Sequence, residues 1–287
     1  QGGPSKGWLT VSENGTLRAP FIEMRGSAGD STWDITLADS ATVNTKYIGH
    51  KASLKTGTVN INLLGGTLTT TDGIPFKKNS GSAKVNLLLD GGTFVNGYNT
   101  KQAMTNFVST LAGVYVGTRG FTFAGAKNTN QHQKEGYFQK SIVYTNTHPD
   151  EARQPIDFKS PDDKHRSYYT FAKNCTIDAP VRVWPSSYLL LDQGADIVGG
   201  NPLLLGNASR LRLKGGAHTV DTLSLGFEGS AGGYNTLMIA SNTTLIVTRE
   251  VLHPGTSYLN VYFYNENLGD ISAGAHPGTY TLIAAPA

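Results

Sequence analysis

Residues 59–69 read VNINLLGGTLT and residues 85–95 read VNLLLDGGTFV, two copies of one pattern set 26 residues apart. In Val59-Asn60-Ile61-Asn62-Leu63 apolar and polar residues alternate at every position. A strand sends successive side chains to opposite faces, so this segment has one dry face and one wet face. Gly65-Gly66 and Gly91-Gly92 then supply positive-φ corners that a β-branched residue resists. Working outward, residues 8–18 (WLTVSENGTLR) and 33–44 (WDITLADSATVN) carry the same pattern. Leu9, Ile35, Ile61 and Leu87 are each 26 apart, and so are Val11, Leu37, Leu63 and Leu89. Ile22, Ile48 and Ile74 keep the same step after the turn. A fixed period of about 20–50 residues signals a solenoid, propeller or array. An antiparallel sandwich also has short strands and frequent turns, but it has no reason to hold one register through four units. The fold class that follows is all-β, a single-stranded parallel β-solenoid (β-helix) with coils of about 20–26 residues. One coil cannot bury its own apolar face; stacking on the next, ~4.8 Å away, makes a continuous core.

The second half repeats more loosely. Leu189–Val198, Leu211–Val220 and Leu237–Val247 each read as strand, polar corner, strand, with steps of 22 and 26 between Leu189, Leu211 and Leu237. Tyr47-Ile48-Gly49, Tyr115-Val116-Gly117, Leu204-Leu205-Gly206 and Ser224-Leu225-Gly226 read as one corner of the coil met repeatedly. Residues 126–167 break the pattern, with three of the seven histidines, three prolines and dense charge. Long polar loops in compact domains are functional or mobile. This segment is expected to leave the solenoid and lie along its flank, docked by Tyr137, Phe138 and Tyr144. The organisation is therefore N-terminal coils over 1–125, a polar insertion over 126–167, C-terminal coils over 168–255 and C-terminal strands over 256–287.

Composition narrows the function classes. Glycine is high at 34 of 287 residues and the charged fraction is low at 16%, which suits a stiff extracellular β protein. A net charge of +3 is small and dispersed, with no Lys/Arg stripe interleaved with aromatics, so no nucleic-acid partner is expected. No apolar run reaches the ~18 residues of a membrane-spanning helix. The single cysteine, Cys175, excludes internal disulfides and CxxC metal sites and is expected to pack beside Ile177. The chain begins at Gln1 without methionine, which fits a secreted protein whose signal peptide is gone. Asn14, Asn174, Asn207 and Asn242 match the N-glycosylation acceptor pattern.

The strings GTVNINLLGGTLTTTDGI, VYVGTRGFTF, HTVDTLSLGFEGSAGGYNTLMIASNTTLIVTREVL and PGTYTLIA resemble the autotransporter-associated β-strand repeat proteins, large secreted or surface proteins common in Verrucomicrobia and Planctomycetes. The resemblance covers most of the chain outside 126–167. It implies a parallel β-helix, export and a cell-surface or matrix role, and it brings no catalytic motif.

Chemistry is sparse. Polysaccharide lyases and glycosidases on β-helices need paired carboxylates or bound calcium along one face. The best candidates, Asp162-Asp163 with Lys164, His165 and Arg166, and Asp150-Glu151-Ala152-Arg153, read as charged turns. Asp34, Asp39, Asp90, Asp192, Asp196 and Asp221 fall near turns without recurring in register. His132, His148 and His165 lack metal-ligand spacing. No catalytic, cofactor-binding or metal site is assigned, and no cofactor is expected. The reading is a structural protein, a self-assembling subunit of an extracellular filament, sheath or surface layer. A surface adhesin or glycan-binding solenoid is the alternative, and a polysaccharide-cleaving enzyme a third. A row of exposed Trp and Tyr on one face distinguishes the second, an acidic groove the third. The homopolymer contact is expected head-to-tail through Tyr258, Val261, Tyr262, Phe263, Tyr264, Tyr280 and Leu282, with extracellular polysaccharide as a further partner. On that reading, removing 256–287 leaves soluble monomers.

Overall fold

The structure, a computed structural model, describes residues 6–24, 31–50, 57–78, 83–98, 111–126, 132–227, 233–254, 258–264 and 280–284. These residues hold 28 strands, numbered here in chain order, and no helix. Every pairing between them is parallel, so the chain winds as a β-solenoid whose rungs stack along one axis.

An eight-stranded sheet runs through β1 (Lys6–Val11), β4 (Ser31–Leu37), β7 (Gly57–Leu63), β10 (Lys84–Leu89), β12 (Gly113–Val116), β15 (Ile142–Tyr144), β18 (Thr176–Ile177) and β21 (Asp196–Ile197). An eleven-stranded sheet runs through β2 (Thr16–Arg18), β5 (Thr42–Thr45), β8 (Thr67–Thr70), β11 (Thr93–Asn96), β13 (Phe121–Gly125), β16 (Ile156–Lys159), β19 (Val181–Val183), β22 (Leu203–Leu205), β24 (Gly216–Leu225), β26 (Thr243–Leu252) and β28 (Tyr280–Ala284). Two further sheets supply the remaining strands. The shorter holds β3 (Ile22–Met24), β6 (Ile48–His50) and β9 (Phe76–Lys78). The longer is six-stranded, with β14 (His132–Phe138), β17 (Arg166–Phe171), β20 (Ser187–Leu191), β23 (Arg210–Leu213), β25 (Tyr234–Ala240) and β27 (Tyr258–Tyr264).

The alternating residues set the core. Leu9 pairs in register with Ile35, Ile35 with Ile61, and Ile61 with Leu87, forming the stacked row that the period predicts. Ile61 is fully buried. Of the two glycine pairs, Gly66 (φ 64°) and Gly91 (φ 91°) take the positive-φ conformation. At Gly66 a Cβ would also lie 2.3 Å from the Ala41 carbonyl oxygen of the coil beneath, so the corner needs a glycine on two counts.

Three expectations are corrected. Ile22 and Ile48 stack, but Ile48 pairs with Phe76, while Ile74 is 37% exposed in the turn before it. That corner is two residues longer, and Asp72 Oδ1 accepts the Ile74 N–H at 3.0 Å. The apolar-glycine triplets are not one corner. Ile48-Gly49 lies within the short sheet, Val116 ends a strand of the eight-stranded sheet, and Leu205 and Leu225 end paired strands of the eleven-stranded one.

The polar segment 126–167 does not leave the stack. Among its described residues, strands β14, β15 and β16 each pair with strands of the sheets above, so they belong to the stack. Val114 pairs with Ile142, Ile142 with Ile177 and Ile177 with Ile197, so the inward row holds while its steps are 28, 35 and 20 residues. The corners absorb the extra length. Phe138 is buried and stacks on Phe171 with ring centroids 4.4 Å apart, and Phe158 stacks on Phe123 at 5.7 Å. The described strands of 256–287 belong to the same stack as those of 168–255, because β27 pairs with β25 and β28 with β26.

Candidate functional site: a tyrosine and arginine groove

The six-stranded sheet turns one face inward and one outward. In β17, Ser167, Tyr169 and Phe171 point to the core while Tyr168 and Thr170 stand on the outer face. Register carries that alternation from rung to rung. Tyr168, Tyr188, Arg210, Thr236 and Asn260 form one outer column, and Thr170, Leu190, Arg212, Met238 and Tyr262 form the next. The turns that feed these rungs are alike. Ser186 (φ 60°) and Ala208 (φ 59°) take the left-handed conformation at equivalent positions, and the following Ser187 and Ser209 are wholly buried at the corner.

Side chains of the two columns enclose a groove of about 160 Å³ lined by Tyr168, Thr170, Tyr188, Leu190, Arg210, Arg212 and Met238, with Tyr169 and Leu189 at its floor. The Tyr168 and Tyr188 rings meet edge to face with centroids 4.6 Å apart. The Arg210 guanidinium lies 4.7 Å from the centre of the Tyr188 ring. Burial pushes both phenols up from their usual value, and the nearby guanidinium groups of Arg166 and Arg210 pull the other way. Met238 and Ala240 are buried although they belong to the outer face, and Met238 lines one end of the groove. None of the lining residues is acidic. Asp192, just past the end of β20, is held by Lys214 at 3.8 Å. Among the described residues the groove therefore offers aromatic rings, phenol hydroxyls and guanidinium donors, and no carboxylate.

Carboxylates singled out in the sequence serve structure elsewhere. Asp162 accepts the Lys164 and His165 backbone N–H groups at 3.0 Å each and contacts His165 Nδ1 at 2.5 Å. Those bonds, the imidazole first, hold its carboxyl down at about 2. Glu151 takes a two-pronged contact from Arg119 (3.1 and 2.8 Å) and lies 3.8 Å from His148 Nδ1. His148 also lies 3.3 Å from the buried Asp90, whose Oδ1 accepts the Arg119 N–H, so this polar cluster ties three successive coils together. Arg153 donates to the Asp178 carbonyl and covers the Tyr144 ring at 3.6 Å. Among the described residues no group of three His, Cys, Asp or Glu side chains could hold a metal ion.

The residues expected to dock an insertion serve the coils instead. Phe138 lies in the core, Tyr144 packs partly against it and Tyr137 is half-buried on its rung. Of the C-terminal residues, Val261 and Phe263 lean on the core, while Tyr258 (72% exposed) and Tyr262 (46%) stand on the outer face beyond the groove. Tyr264, Tyr280 and Leu282 sit in strands whose backbones pair, and their side chains lie outside what is described. Cys175 is buried in the core near Ile177, and burial raises its thiol. Asn207 is 7% exposed and packs under Gly233, so of the four acceptor asparagines it is the one the fold shields.

No family model, no curated protein and no solved structure matches the chain. Sequence reasoning missed the groove because its members are scattered. Tyr168, Tyr188 and Arg210 are 20 and 22 residues apart and become neighbours through strand register alone. The available signal was the outward parity of Tyr168, Tyr188, Arg210 and Arg212 beside the inward Tyr169, Leu189, Leu211 and Leu213. The sequence shows no basic stripe with interleaved aromatics; the coil assembles a short one.

Proposed function

We propose that this chain is a secreted β-solenoid that serves as a surface glycan-binding module, its ligand lying along the outer face of the six-stranded sheet. The observation that carries this is the tyrosine and arginine row made by Tyr168, Tyr188, Arg210 and Arg212. Sugar rings present C–H groups on one face and hydroxyls at the edge. Tyrosine rings meet the first, and phenol and guanidinium groups meet the second. Rungs recur every ~4.8 Å, close to one sugar residue of an extended chain, so a polysaccharide can follow the columns. At about 160 Å³ the groove is smaller than the ~300–1,000 Å³ clefts that enclose a small-molecule ligand. It suits one ring of a long chain and does not wrap a substrate. The low charge of the chain and the likeness to exported strand-repeat proteins support an extracellular setting.

Native electrophoresis through gels containing soluble polysaccharides tests the reading. The intact chain is expected to be retarded in at least one gel, and Tyr188→Ala and Tyr168→Ala to migrate freely. Retardation unchanged in both variants would overturn it.

Self-assembly is a second reading, favoured by β27. Among the described strands it has one neighbour, so its other edge meets no described strand, and the exposed Tyr258 and Tyr262 stand on its outer face. Concentration-dependent growth in sedimentation velocity, abolished by Tyr262→Lys, would support strand addition between chains. A constant monomer would dismiss it.

A further inference from the structure

We infer that the groove on the six-stranded sheet takes an anionic saccharide, a sugar carrying a carboxylate or a sulfate ester; this rests on the glycan-binding reading above. Among the described residues the lining holds two arginines and no acidic side chain. Arg210 and Arg212 stand one strand step apart on β23, both on the outer face, and Tyr188 and Leu190 precede them in register. Arg166 adds a third guanidinium near the Tyr168 and Tyr188 hydroxyls, close enough to influence both phenols. Two arginines in the lining and a third beside it, around an aromatic floor, are an arrangement for oxyanions, because a guanidinium fork matches a carboxylate or a sulfate ester with paired N–H donors. A neutral sugar needs the rings and hydroxyls but not the cluster of cations.

Four arginines elsewhere on the solenoid are each paired with a carboxylate. Arg119 meets Glu151, Arg153 meets Asp178, Arg182 meets Asp157, and Arg249 meets Asp221 and Glu250. Across the groove wall Arg210 instead lies over a tyrosine ring, which fixes the guanidinium plane without neutralising it. A nucleic acid would also present anions and stacking bases. It requires a basic track along its backbone, whereas the groove lining brings two arginines together on neighbouring positions of one strand.

Isothermal titration with four probes decides the matter: polygalacturonate, a sulfated galactan, neutral dextran and a single-stranded oligothymidylate. Polygalacturonate or the sulfated galactan should bind, and whichever binds tighter names the anion. Added sodium chloride should weaken that binding, and Arg210→Gln should weaken it about tenfold, the scale of one lost charge-assisted contact. Dextran binding as tightly as the anionic polymers, with Tyr188→Ala weakening it and Arg210→Gln silent, would overturn the anionic assignment and leave glycan binding standing. Binding to no polysaccharide would overturn both. Tighter binding of the oligothymidylate would replace the saccharide with a nucleic acid. If Arg210→Gln does not fold, the salt titration of the unaltered chain decides alone: affinity for polygalacturonate indifferent to salt overturns the inference.

Discussion

Ile61 is fully buried, with Ile35 and Leu87 in register on the rungs either side of it. Ile61→Asp puts an unpaired charge in that row and is expected to cost more than about 3 kcal/mol. Ile61→Val, which removes a single methylene, should cost about 0.5–1.5 kcal/mol; urea denaturation of both measures the contrast. Gly66→Ala should cost on the order of 1–3 kcal/mol by the same measurement, since the residue has φ 64° and its Cβ would press on the Ala41 carbonyl. Asp162 gives a pH prediction with a definite sign. Its folded value, about 2, lies below the ordinary 3.8. Its stabilisation of the turn is therefore complete above the ordinary value and disappears as pH falls from there through about 2. Carbon-13 titration of the Asp162 carboxyl should give a midpoint near 2 that moves up in His165→Ala; an ordinary midpoint would show that the contact with His165 is absent in solution.

At the level of strands, the sequence was legible wherever corners kept a constant length. Leu9, Ile35, Ile61 and Leu87 keep the 26-residue step because the turns between them are equally long. Between Val114 and Ile197 the row is as well ordered, but the turns around 145–155 and 160–165 vary, and the period disappears. The charge and proline content of 126–167 belongs to those turns, while Phe138, Ile142, Ile156 and Phe158 keep the inward positions. A fixed-period reading registers the turns and loses the strands. Phe158 shows what this concealed. It is fully buried between Phe123 and Val183 in register, and Phe158→Ala is expected to cost about 3–5 kcal/mol. Were 126–167 a loop docked on the flank, the cost would fall well below that. The last coil changes another expectation. Because β27 covers Leu237 and Ile239 and β28 pairs with β26, removing 256–287 uncovers an apolar rung. The truncated chain should aggregate or unfold at lower urea than the full one. Soluble, equally stable truncated monomers would show that the last strands add nothing to the core.

Over the whole molecule, the solenoid turns a sequence with no compact motif into a surface. Aligned rungs gather side chains that are 20 or more residues apart, and the groove exists only because the coils between Tyr168 and Met238 stay in register. Its chemistry could not be read along the chain, since each rung contributes at most three of its members. The central claim is that this face meets a polysaccharide. Hydroxyl-radical footprinting of side chains, with and without the polysaccharide that retards the protein in native gels, tests it most directly. Oxidation of Tyr168 in the groove and of Tyr234, 49% exposed at the start of β25 in the same sheet, should fall on binding, while Trp8 on β1 and Tyr115 on β12, both exposed on the eight-stranded sheet, should be unchanged. Protection of Trp8 or Tyr115 with none at Tyr168 and Tyr234 would contradict it.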